Sequence, residues 1–157
     1  MAKFEALLPE DILKDFKKLY TDSEKIFGEM TKAGADVVAD AVRQNVPPRL
    51  APFVKVSRTY RTPTDGGINT KVYLAGYLPF SDPSRMSFSR RGRAGGKVYT
   101  TTKGVPVEFI ANLYEYGRST APFPKHPFLR KSFANKGRIE DAMKKAQREA
   151  SGGILDE

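Results

Sequence analysis

Cysteine is absent from these 157 residues, which excludes disulfides, thiolate metal sites and cysteine nucleophiles and suits synthesis in a reducing cytosol. Long apolar runs are missing as well. Met1 to Leu8 carries a lysine and an acid, and no later stretch approaches the roughly 20 apolar residues a membrane span needs. The sequence therefore reads as soluble and unprocessed. Histidine occurs once, at His126, between Lys125 and Pro127. With no second imidazole or carboxylate cluster beside it in the chain, metal ligation and general-base chemistry lack the paired groups they require. Acids are scarce in the middle of the chain: residues 53–103 hold 10 Lys+Arg against 2 Asp+Glu, whereas residues 1–52 hold 8 against 9 and residues 104–157 hold 9 against 7.

The net charge of +9 thus sits almost wholly in the central window. It reads either as a solvated basic loop or as a surface that attracts polyanions. Ten Phe and seven Tyr, with 39% hydrophobic residues overall, are enough to fold one domain, so residues 1–157 are expected to form a single one. Within it, residues 1–21 read as an N-terminal helical extension, 22–150 as the main body and 151–157 as a frayed tail.

Pro9, Glu10 and Asp11 make a good first helical turn, so a short helix is expected to about Tyr20. Asp22 or Ser23 can cap a second, longer one, along which Ile26, Phe27, Met30, Ala33, Val37, Val38, Ala41 and Val42 recur at three-and-four spacing until Pro47-Pro48 ends it. From Phe53 the period shifts towards two. Phe53 to Tyr60 and Ile68 to Leu74 flank a turn at Asp65-Gly66 and predict an antiparallel hairpin, with Lys97 to Thr102 as a third strand. Between strands two and three, the Leu78 to Gly96 stretch is rich in Pro, Ser, Gly and Arg and predicts a long mobile loop. Pro106 opens a short helix closed by Gly117, and Phe128, Phe133, Ile139, Met143 and Ala146 suggest a final helix interrupted near Gly137.

Familiar chemistries leave little trace. Gly92, Gly95, Gly96 and Gly104 lack the Lys-Ser/Thr that completes a phosphate loop, and Glu108 and Glu115 share no obvious acid partner for glycosidase or nuclease work. No catalytic, cofactor or metal pattern emerges, and the chain reads as non-enzymatic. Arg58, Tyr60, Arg61, Tyr73, Tyr77, Phe80 and Phe88 interleave charge and aromatics, which leaves a nucleic-acid-binding reading of residues 53–103 as the alternative. The same alternation equally describes a packed sheet face.

Residues 111–133 carry a more specific pattern. Glu115-Tyr116-Gly117, a short insert and then Pro127-Phe128-Leu129-Arg130 resemble the signature of the gp-ten-like tail-component family of long-tailed phages, departing from it at Arg118 and Ser132. The helix end at Asn45-Val46-Pro47 is also similar, so the likeness covers about residues 22–148. The resemblance implies an α+β fold: a long N-terminal amphipathic helix packed on a small antiparallel sheet, a long basic loop, a short helix and a C-terminal helix.

It also implies a structural virion protein of the neck or tail-completion type. Such a protein joins the head-closure or connector protein to the tail tube or tail terminator and is assembled in the host cytoplasm. The implied partners are further copies of the chain in a homo-oligomeric ring, six subunits favoured over twelve, with no membrane. A tail terminator or a minor capsid component is the near alternative. The loop bearing Arg85, Arg90, Arg91, Arg93 and Lys97 would face a neighbouring ring or, with weak salt-sensitive contact, DNA in the channel. The motif residues Glu115, Tyr116, Gly117, Pro127, Phe128, Leu129 and Arg130 would hold the fold, with Glu115 and Arg130 pairing across two helices, or serve directly at the subunit contact.

Overall fold

The computed structural model describes residues 10–82, 84, 86–91, 98–117 and 125–152. The fold is α+β, with a long N-terminal helix, short antiparallel ladders and shorter helices. Helix α1 runs unbroken through Glu10–Asn45. The expected break at Asp22-Ser23 does not occur, because the hydroxyls that could cap a new helix turn back on the old one. Thr21 Oγ1 donates to the Lys17 carbonyl at 2.8 Å and Ser23 Oγ to the Tyr20 carbonyl at 2.9 Å. Residues 10–21 of the expected extension and the longer helix are therefore one element. Pro48 then diverts the chain into a 3-10 turn, Pro48–Phe53.

Two compact units share α1. The first comprises Met1–Val37, Arg58–Lys71 and Lys136–Glu157. Its hairpin end pairs β2 (Tyr60–Arg61) with β3 (Ile68–Asn69), and the turn holds Asp65 Oδ1 against the Gly67 amide at 2.9 Å. Thr70 Oγ1 lies 3.2 Å from both Thr31 Oγ1 and Thr59 Oγ1 and stitches this hairpin to α1. Helix α4 (Lys136–Ser151) seats Ile139 and Met143 against Gly34 of α1. The break that precedes α4 falls at residues 133–135; Gly137 itself lies inside the helix.

The second unit comprises Val38–Ser57 and Val72–Asn135. Here β1 (Val54–Val56) pairs with β4 (Val72–Leu74), β5 (Tyr77–Leu78) with β8 (Val105–Pro106), and β6 (Phe88–Arg91) with β7 (Val98–Thr101), all antiparallel. Helices α2 (Val107–Tyr116) and α3 (Phe128–Ser132) complete it. Val42, Leu50, Val107 and Phe128 are fully buried, and each large apolar side chain withdrawn from water in this way stabilises by about 1.5–3 kcal/mol.

Two expectations change in this unit. The stretch expected as one mobile loop, residues 78–96, contains strand β6, because Phe88 is buried and its ring sits 5.1 Å from that of Phe109 on α2. One anchored aromatic supplies what the arginines around it cannot. The third strand also pairs with β6 and does not extend the first hairpin.

Candidate functional site

The family-like motif forms one connected joint in the second unit. Helix α2 presents Glu115 on its inner face, 3% exposed, and ends at Gly117, whose φ of 75° is open to glycine at little cost. Helix α3 begins after Pro127, which provides no side-chain cap. Glu115 fills that role from the neighbouring helix: Leu129 N donates to its Oε2 at 3.0 Å, and Arg130 Nε lies 3.4 Å from its Oε1. A carboxylate at a helix start also meets the positive end of the helix dipole. The Glu115–Arg130 pairing expected from the sequence is thus present.

Around that joint the remaining motif residues are placed by packing. Phe128 is fully buried, Leu129 is half-buried, and the Arg130 guanidinium lies 5.6 Å from the centre of the exposed Tyr116 ring. Ser132 is buried, donates to the Phe128 carbonyl at 2.7 Å and accepts from Asn45 Nδ2 at 3.3 Å. A hydroxyl at this position therefore serves to tie α3 to the end of α1. Arg49 donates to the Tyr114 hydroxyl at 2.9 Å and stacks on the same ring. Sequence reasoning missed this last link, since 65 positions separate the partners and neither belongs to a motif. His126 is exposed, and its backbone amide donates to the Tyr114 carbonyl at 2.7 Å, tying the residue to α2 just ahead of α3.

The basic candidates divide differently. Arg90 and Arg91 lie in β6, opposite Tyr99 and Val98. Arg85, Arg93 and Lys97 lie outside the described residues, as do Arg118 and Phe123. Of the aromatics interleaved with charge, Phe88 is buried and cannot stack a base, whereas Tyr73 and Tyr77 are exposed. Arg61 is bridged to Glu24 at 2.6 Å. A cleft of about 600 Å³ beside the β6–β7 hairpin is lined by Tyr77, Phe88, Thr100, Thr101, Pro106 and Glu108, among others. Among the described residues no group of three or more His, Cys, Asp or Glu side chains could hold a metal ion, and no helix is long and apolar enough to cross a membrane.

Compared with family models, curated proteins and solved structures, the chain matches none of them.

Proposed function

We propose that the chain is a structural virion protein that forms a ring at a phage head–tail junction, linking a capsid-side connector to the tail without catalysing a reaction. The reading rests on the resemblance of residues 111–133, and one observation carries it furthest. The acidic residue of the motif spends both carboxylate oxygens on holding two helices together, with Leu129 N on one and Arg130 Nε on the other. A general acid or nucleophile needs an oxygen free to face substrate. A carboxylate sealed inside a joint instead suits a subunit whose shape is its function. The surplus of basic residues in the 53–103 window supports weak, salt-sensitive attraction to DNA passing through such a ring.

Electron microscopy of the purified protein tests the proposal. Closed rings, with duplex DNA released by modest salt, are the expected result. Monomers at high concentration that bind duplex tightly with a defined site size would favour a free-standing nucleic-acid-binding protein instead.

A further inference from the structure

The first turns of α1 carry an apolar stripe that faces water. Phe16 is 63% exposed, Tyr20 85% and Phe27 53%, with Ile12 and Leu13 also exposed. Leu13, Phe16, Tyr20, Ser23 and Phe27 follow alternating three-and-four spacing, the seam of a two-helix pair. From Leu13 to Phe27 the seam spans about 21 Å at 1.5 Å per residue. At its far end Phe27 borders a cleft of about 400 Å³, lined also by Ser23, Glu24, Arg61 and Ile68.

We infer that this seam is a contact between two copies of the chain, packed antiparallel so that Phe16 of each enters the cleft beside Phe27 of the other. Charge selects both the occupant and the register. Lys17 and Glu24 occupy equivalent flanking positions one heptad apart, each four residues after a seam position. In an antiparallel pair with Phe16 opposite Phe27, Tyr20 lies opposite Ser23 and Lys17 faces Glu24 of the second copy, twice over by symmetry. Glu24 is exposed and already sits at the cleft mouth with Arg61. A register one heptad shorter would set Lys17 against Lys17. A parallel pair would set Lys17 beside Ile12, and Glu24 beside Leu19, with no charge matched. The segment is also nearly neutral, with 8 Lys+Arg against 9 Asp+Glu over residues 1–52, so the overall charge of +9 does not oppose self-association there.

This contact is two-fold and self-complementary, so it goes beyond the ring proposal, whose contacts run head to tail. The two ideas fail separately. Native mass spectrometry and sedimentation of the full chain should give an even-numbered assembly. Phe16→Ala with Tyr20→Ala, which leaves buried residues untouched and raises helix propensity, should halve its mass, from twelve copies to six if rings form and from two to one if they do not. Lys17→Glu alone and Glu24→Lys alone should each weaken the pairing at least tenfold, and the two combined should restore it. An odd-numbered or monomeric wild type overturns the inference. So does a mass unchanged in the Phe16/Tyr20 variant with helical circular dichroism retained, or a combined charge swap no tighter than the single variants.

Discussion

The Glu115–Arg130 pair offers a thermodynamic cycle whose outcome follows from burial. Glu115 has 2% of its side chain exposed and Arg130 71%, so the two partners are not equivalent. Removing Arg130 leaves a buried carboxylate with the Leu129 amide but without its cation, and an under-compensated buried group costs about 1–3 kcal/mol. Removing the charge from Glu115 frees an arginine that water already solvates. Glu115→Gln also retains an acceptor for the Leu129 amide, so it should cost only about 1 kcal/mol. In the Glu115→Gln background no buried charge is left to compensate, and Arg130→Ala should then cost under about 0.5 kcal/mol. The coupling is therefore about 0.5–3 kcal/mol. Urea unfolding of the wild type, the two single variants and the double variant, followed by far-ultraviolet circular dichroism, measures it. If Arg130→Ala costs the same in both backgrounds, the arginine serves Tyr116 stacking or nothing measurable, and the joint described here is wrong.

Three other substitutions probe the packing. Phe128→Ala should destabilise by about 3–5 kcal/mol in the same unfolding assay, since the ring is fully buried and α3 is too short to hold without it. Gly137→Ala, where an added Cβ meets nothing within 4 Å, should raise stability by about 0.5–1 kcal/mol, seen as a higher melting temperature. Gly104→Ala should do the reverse and loosen the β5–β8 ladder, because φ is +123° and the new Cβ would fall 2.2 Å from the Leu78 carbonyl oxygen; faster amide exchange at Leu78 and Val105 would report it.

The parts of the fold legible in the sequence are those set by local rules. The α1 stripe, its end at Pro47-Pro48, the Asp65-Gly66 turn and the Pro106 to Gly117 helix all follow from periodicity and from residues with restricted or permissive backbones. Continuity through Asp22-Ser23 was not legible, because a hydroxyl that could cap a helix start can equally bond back to its own helix. Strand β6 was hidden for another reason: its pairing depends on Phe88 meeting Phe109, a tertiary contact that outweighs the loop-like composition around it. At the site, Glu115 with Arg130 could be paired in advance through the motif. Asn45 with Ser132 and Arg49 with Tyr114 could not, since only the fold brings those residues together.

If the chain builds a ring at a head–tail junction, it works by matching shapes with copies of itself and with flanking virion parts. The mass of the purified wild-type protein under native conditions then reports its function. A closed assembly of twelve copies, two six-membered rings paired through the α1 seam, is the predicted result, and six copies would keep the ring while refuting the seam. A protein that stays a single copy at the highest attainable concentration would contradict both.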